Sequence, residues 1–116
     1  MTSLVHAASH FYGSHRLSGH PTCDRECGHA WGVRVAVTGE PVQEYQWMPV
    51  DETALLTDLR RITDELKGKD IDAMIRPSVS SLIGLASWFD SRLSHKYEIV
   101  EVVVWNDELT SATLRK

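Results

Sequence analysis

Histidine and cysteine side chains are concentrated near the start of the chain. Five of the six histidines and both cysteines fall within the first 29 residues. They are His6, His10, His15, His20 and His29, together with Cys23 and Cys27. Imidazole and thiolate are ligands that zinc prefers, and a catalytic zinc site needs three ligands plus an open position. This segment therefore indicates metal chemistry, thiol chemistry or both.

Cys27 and His29 are separated by a single glycine. If His29 lies in a strand, both side chains point to the same face, because side chains along a strand alternate with a period of two. His15, on a neighbouring strand, is the candidate for a third ligand. Loop histidines and structural thiols explain the same residues without a metal, and spacing alone does not decide between the two interpretations.

Length and charge limit the function classes. The chain has 116 residues, with 12 basic and 16 acidic side chains and a formal net charge of −4. This length predicts one domain over residues 1–116. The acidic balance argues against nucleic acid as the main partner, and no apolar run approaches the roughly 20 residues of a membrane span. Residues 1–10 lack the basic and apolar regions of a signal peptide, so we expect a cytoplasmic protein without a membrane partner.

Hydrophobic periodicity predicts four strands and two helices. The predicted strands cover residues 4–16, 31–37, 97–105 and 110–114. Apolar residues at helical spacing predict a first helix that Asp51 caps and that ends before Gly68. A second helix is predicted to begin at Pro77 and Ser78, after a short connection over residues 70–77.

The order of these elements is β-β-α-α-β-β. It predicts an α+β fold in which two helices pack on one face of a four-stranded antiparallel sheet. Such a small sheet has two open edges, and association between subunits is the usual way to cover them.

Two motifs resemble those of a known enzyme family. The segment Phe11–Leu17 reads F-Y-G-S-H-R-L, and the segment Cys23–Trp31 reads C-D-R-E-C-G-H-A-W. They are similar to the F-x-x-x-H-x-L and C-x-x-x-H-G-H motifs of the 6-pyruvoyl-tetrahydropterin synthase and 6-carboxytetrahydropterin synthase (QueD-like) family, which has the tunnelling fold (T-fold). Weaker similarities follow in the same order at Met48–Asp51, Pro77–Leu82 and Val102–Arg115, so the resemblance covers nearly the whole chain.

The resemblance implies a site and an activity. By position, His15, Cys27 and His29 correspond to the ligands of a Zn²⁺ ion, and Cys23 corresponds to the catalytic base. The implied enzyme is a zinc-dependent lyase acting on a reduced pterin of the dihydroneopterin triphosphate class, in 7-deazaguanine (queuosine-type) or pterin biosynthesis. The resemblance also implies a homo-oligomer, a trimer or a hexamer, with active sites between subunits.

The substrate-binding candidates stand near the end of the chain. Family members hold the pterin with a carboxylate in an E-T motif, where this chain has Asn106 and Asp107. A carboxylate suits the adjacent N–H donors of an amino-pyrimidine edge better than an amide does. We therefore predict that Asp107 or Glu108 replaces the glutamate, beside Asn106.

Other departures from the family pattern keep a second hypothesis open. Cys27 replaces a histidine ligand, Lys67 and Gly68 replace an Asp-His pair that would assist the cysteine, and Ser80 replaces a glutamate. Cys23 is then either a base or a fourth zinc ligand. The alternatives to the lyase are an impaired T-fold protein that binds metal and a pterin or purine, or acts as an oligomeric scaffold, and a related enzyme with a different reaction.

Overall fold

The computed structural model describes residues 2–19 and 26–116, and these ranges form one sheet with helices on one face. The strands are β1 (Val5–His15), β2 (Cys27–Thr38), β3 (Glu98–Asn106) and β4 (Ser111–Arg115). The helices are α1 (Glu52–Leu66), α2 (Ile71–Ile75) and α3 (Leu82–Leu93), with a short 3-10 turn at Gln43–Tyr45 before α1. The predicted α+β class is confirmed, and α2 is an addition to the predicted order.

The four strands lie in the order β1-β2-β3-β4, and every neighbouring pair is antiparallel. β1 and β2 pair over almost their full length, from Val5 opposite Val37 to His15 opposite Cys27. β2 therefore begins earlier than predicted, because Cys27 and the glycine after it already pair with β1. The alternation of buried and exposed residues along β1 follows from the period of two in a strand with one covered face.

The long helices supply the other half of the core. α1 packs against β1, and α3 packs against β3 and β4. The Asp51 side chain accepts hydrogen bonds from the backbone N–H groups of Thr53 and Ala54, which caps α1 as predicted. Leu55 and Leu59 of α1 are fully buried against the sheet. None of the helices within the described ranges has the length and apolar character that crossing a membrane requires.

Residues 70–77, predicted as a connection, contain the short helix α2. The Asp70 side chain accepts a hydrogen bond from the backbone N–H of Asp72 and so caps this helix. Ile71 and Ile75 are buried in the main core. The prediction of a plain connection was wrong because one helical turn with two buried residues leaves almost no periodic pattern in the sequence.

α3 begins later than Pro77 and Ser78, the predicted start. Its cap is Ser81, whose hydroxyl accepts a hydrogen bond from the backbone N–H of Gly84. The segment before the helix folds back over its first turn, so that a Cβ at Gly84 would lie 1.9 Å from the carbonyl oxygen of Val79. The cap at Ser81 and this fold-back together place the start of α3 after the predicted one.

Candidate functional site

Antiparallel pairing brings His15 and His29 together at one end of the sheet. His15 is the last residue of β1 and lies opposite Cys27, two residues before His29 on the same face of β2. The two imidazole centroids are 5.1 Å apart, and the two residues are 4% and 6% exposed. Trp31 packs edge-on against both, with centroid distances of 4.8 Å to His15 and 5.3 Å to His29. The two histidines therefore share a pocket with an apolar wall.

Both imidazoles are oriented through their Nδ1 atoms. Nδ1 of His15 donates to the carbonyl oxygen of Ser80 at 3.0 Å, and since a carbonyl only accepts, this nitrogen carries the proton. Nδ1 of His29 donates to the Asp107 carboxylate at 2.8 Å. Each neutral ring then has its lone pair on Nε2, which is the arrangement found in metal-binding histidines whose other nitrogen donates to a carbonyl or carboxylate.

Asp107 is held in place by β2. One carboxylate oxygen accepts from the backbone N–H of Ala30 at 3.1 Å, and the Asp107 N–H donates back to the Ala30 carbonyl at 3.0 Å. The hydrogen bond from Ala30, and then the one from His29, hold the pKa of Asp107 below its ordinary value. The group is therefore an ionised acceptor, which suits a residue that orients an imidazole.

The residues on either side of Asp107 have different surroundings. The Asn106 amide oxygen accepts from the Glu108 backbone N–H at 3.0 Å and from the Thr110 hydroxyl at 3.3 Å, which stabilises the β3–β4 turn. Glu108 Oε1 lies 3.9 Å from Nε2 of His29. A cavity of about 140 Å³ is lined by both histidines and by these three turn residues, among others. The turn thus closes one side of the imidazole pocket.

The cysteines are placed less completely. Cys27 is half-buried at the start of β2, beside His15. Cys23, the predicted base, lies outside the described residues. Within residues 2–19 and 26–116, no group of three or more histidine, cysteine, aspartate or glutamate side chains is close enough together to hold a metal ion. The structure therefore brings His15 and His29 together. Cys27, the third predicted ligand, lies opposite His15 on β2 but does not complete a group of three with them.

The segment that replaces the Asp-His pair packs along β1. The backbone N–H of Gly68 donates to the Tyr12 carbonyl at 2.6 Å, and the Lys69 carbonyl accepts from Ser14 at 3.0 Å. The Asp72 carboxylate accepts from the backbone N–H of Arg16 at 2.9 Å, next to His15 in sequence. Backbone hydrogen bonds therefore hold this segment against the edge of β1.

A second cavity lies on the helix-free face of the sheet, next to the imidazole pocket. It measures about 580 Å³ and is lined by His10, Tyr12, Trp105, Asn106 and Asp107, among others. The Trp105 ring lies over Gly32 of β2, so close that a Cβ added at Gly32 would be 2.1 Å from a ring atom. Aromatic walls with a carboxylate at the rim suit a flat, nitrogen-rich heterocycle.

The donor types at this end of the sheet are ones that Zn²⁺ binds, although the described residues bring only two of them, His15 and His29, together. Two buried imidazoles with lone pairs on Nε2, a thiol beside them and a carboxylate at the mouth are the nitrogen, sulfur and oxygen ligands that Zn²⁺ binds. Two supporting roles were not predicted: the Ser80 carbonyl that orients His15 and the Asp107 carboxylate that orients His29. The sequence does not show which backbone carbonyl a side chain will contact. Asp107 was predicted to bind substrate rather than to orient His29.

Comparisons with known proteins agree with this geometry. The family model described as 6-pyruvoyl tetrahydropterin synthase matches residues 4–116. Among solved structures, Caenorhabditis elegans 6-pyruvoyl tetrahydropterin synthase superposes with a TM-score of 0.85 at 15% identity, over 100% of this chain and 96% of that one. An uncharacterized protein from Wolinella succinogenes gives a TM-score of 0.64 at 13% identity, over 100% and 99% of the two chains. The search of curated proteins gave no match. The predicted T-fold is confirmed.

Proposed function

The chain belongs to the 6-pyruvoyl tetrahydropterin synthase family, and we propose that it is a zinc-dependent lyase or synthase acting on a reduced pterin. The substrate proposed is of the dihydroneopterin triphosphate class, in a cytoplasmic 7-deazaguanine (queuosine-type) or pterin pathway. The observation that carries the proposal is the pair of buried imidazoles whose Nδ1 atoms donate to Ser80 and Asp107. Such orientation suits metal ligation and is more than burial alone requires.

In this proposal His15 and His29 hold the Zn²⁺ ion, and Cys27, which lies opposite His15 on β2, is the third ligand that the family motif implies. A bound zinc ion attracts electrons from a substrate oxygen, which makes protons on the adjacent carbon easier to remove. Asp107 keeps the Nε2 lone pair of His29 directed into the pocket. Trp31 walls the same pocket, and its indole N–H donates to the Gly13 carbonyl at 3.0 Å, which fixes the ring.

Cys23 is the proposed base. The family motif implies this role for Cys23, and the thiolate is the form of cysteine that can accept a proton from carbon. Lys67 and Gly68 supply no proton relay in place of the family's Asp-His pair. We therefore expect slow turnover rather than none.

The pterin ring is proposed to lie in the larger cavity, against Tyr12 and Trp105, with Asn106 and Asp107 at its rim. Glu108, the third predicted substrate-binding residue, lines the smaller cavity beside the histidines. β1 and β4 are the edge strands of the sheet, and in the described chain Gly68 and Lys69 pair with the outer edge of β1 only near its end, at Tyr12 and Ser14. These edges support the proposal of a homo-oligomer, a trimer or hexamer, because a second copy can pair with them.

A second candidate function is an impaired T-fold protein that binds metal and a pterin or purine, or acts as a scaffold. The observation that favours it is the backbone pairing of Gly68 and Lys69 with β1, which holds in place a segment without the Asp-His pair. Fold alone does not decide between these two functions.

One experiment separates them. Zinc per chain is measured first, and the zinc-loaded protein is then incubated with dihydroneopterin triphosphate. Loss or rearrangement of the pterin side chain that disappears in Cys23→Ala supports the lyase. Zinc and pterin binding without turnover, unchanged in Cys23→Ala, supports the binding protein. Absence of zinc in the purified and reconstituted protein contradicts the metal site in both candidate functions.

A further inference from the structure

We infer that the size of Ala30 decides which ring enters the cavity on the helix-free face of the sheet, and that this ring binds without a metal ion. The inference rests on the proposed function, because it names what selects the ring of the proposed pterin. Side chains alternate along β2, so Ala30 points to the face opposite that of His29 and Trp31. The sheet itself therefore separates a ring that contacts Ala30 from the imidazoles.

Two glycines of β2 flank Ala30 on the helix-free face, and aromatic side chains of the neighbouring strands lie over them. A Cβ added at Gly28 would be 2.2 Å from the Tyr12 hydroxyl oxygen, and a Cβ added at Gly32 would be 2.1 Å from a ring atom of Trp105. Gly32 is buried for this reason, whereas Ala30 is exposed. The two aromatic side chains therefore cover the glycines and leave the surface of Ala30 open between them.

Strand pairing fixes the wall that Trp105 forms. Trp105 of β3 and His10 of β1 are both paired with Gly32, from opposite sides. Their rings meet edge to face with centroids 5.7 Å apart, so the indole extends across β2 and contacts the imidazole. A wall that is fixed before binding loses little conformational freedom when a ligand enters. This side of the cavity is therefore preformed.

The cavity of about 580 Å³ follows from this arrangement. Ala30 forms its floor, Tyr12 and Trp105 form two of its walls, and Asp107 lies at its rim. The only side chain that rises from the floor is a methyl group, so a flat ring can lie on it. A larger side chain at position 30 would occupy the space between the walls and displace the ring.

Polar groups around the cavity define the class of ring. The Asp107 carboxylate accepts from His29 and from the Ala30 N–H, and its further lone pairs suit adjacent N–H donors on a ring. The Tyr12 hydroxyl and the Trp105 indole N–H are donors for a ring carbonyl or a ring nitrogen. A flat lactam with an exocyclic amine, such as a pterin, carries both kinds of group. Because Asp107 also contacts His29, a side chain on this ring can extend past the end of the sheet toward the imidazoles.

The test measures binding of pterin, the ring without side chain or phosphates, to the full chain by equilibrium dialysis with EDTA present. Ala30→Val is compared with Ala8→Val, which adds the same two carbons at an exposed alanine of the same sheet face, opposite Arg34. We expect Ala30→Val to bind pterin roughly fivefold more weakly than the wild type, or worse, because the added carbons fill the floor of the cavity. Ala8→Val and Ala30→Ser, which is close to alanine in size, are expected to match the wild type.

A further variant, Tyr12→Ser, removes one wall and leaves the floor unchanged. Tyr12 is 58% exposed, so the core stays intact, and loss of its ring should weaken pterin binding by about twofold to tenfold. Dialysis is repeated with Zn²⁺ in place of EDTA. Unchanged pterin binding in Ala30→Val or in Tyr12→Ser, or binding that requires Zn²⁺, would overturn the inference and leave the proposed function standing. A wild-type chain that binds no pterin with or without Zn²⁺ would overturn both, so the two failures are distinguishable.

Discussion

Replacing Asp107 with asparagine tests whether this carboxylate orients a metal ligand. The aspartate accepts two hydrogen bonds, from Nδ1 of His29 at 2.8 Å and from the Ala30 N–H at 3.1 Å. Asparagine has the same shape but only one acceptor oxygen, so its amide nitrogen must face either Ala30 or His29. If the amide nitrogen faces Ala30, its N–H group and the backbone N–H of Ala30 are two donors pointing at each other. Facing His29, it forces the ring proton onto Nε2 and removes the lone pair from the pocket.

The size of the effect follows from this choice. Loss of a partner that holds a ligand histidine costs about 10–100-fold in metal affinity, which is about 1.4–2.7 kcal/mol. A hydrogen bond to a charged group contributes about 1.5–3 kcal/mol when it is buried, but the Asp107 side chain is 49% exposed. We therefore expect only about 1 kcal/mol of lost stability in the metal-free protein.

Zinc affinity is measured by competition with a chromophoric chelator, and the stability of the metal-free protein by urea unfolding. Asp64→Asn is the matched control, because it removes the same charge from an exposed residue of α1. The expected pattern is a large loss of affinity with a small loss of stability in Asp107→Asn alone. Zinc affinity within twofold of the wild type would refute the orienting role, and an equal loss in the control would point to net charge.

Three further predictions concern packing and the pocket wall. Hydrogen bonds from Lys96 and Tyr97 hold the pKa of Asp58 below its ordinary value. The stabilisation from the ionised Asp58 is complete above the unfolded-state pKa of about 3.9 and is lost as pH falls through the folded-state pKa. Urea unfolding of Asp58→Asn should therefore give a lower free energy of unfolding at pH 7 and a smaller decrease of that free energy in acid. Alanine in a helix normally stabilises by about 1 kcal/mol over glycine, yet Gly84→Ala should lower the free energy of unfolding, measured with urea, by about 1–3 kcal/mol because the new Cβ would lie 1.9 Å from a carbonyl oxygen. A stabilised variant would contradict the packing before α3. Trp31 lies beside both imidazoles, so Co²⁺ should quench its fluorescence, and unchanged quenching in Trp31→Phe would place the ion elsewhere.

The main elements were predictable because each carries its own periodic pattern. β2 alternates apolar residues on one face, and α1 repeats them at helical spacing after a capping aspartate. α2 and the start of α3 were not predictable on the same grounds. One turn of helix has too few residues for a period, and the choice of Ser81 as the cap depends on how the preceding segment packs over Gly84.

The site was predictable to the extent that it follows from strand pairing. Alternation places Cys27 and His29 on one face, and the pairing of β1 with β2 adds His15. The sequence could not show the separate roles of Asn106, Asp107 and Glu108, because these polar residues are adjacent and the turn directs each side chain differently. Their roles depend on which backbone groups of β2 and the turn they meet, and those contacts arise only in the folded chain.

The thiol at position 27 also bears on which of the proposed functions holds. A Cys27 thiolate bound to Zn²⁺ would leave the ion less able to attract electrons from a substrate oxygen than a neutral imidazole would. If the chain is a lyase, Cys27→His, which restores the histidine of the family motif, should turn over dihydroneopterin triphosphate at a rate equal to or above that of the wild type at saturating zinc. If the chain is a binding protein, neither form should turn over the pterin. A Cys27→His variant that keeps its zinc and turns the pterin over more slowly than the wild type would contradict the view that the thiolate weakens the ion.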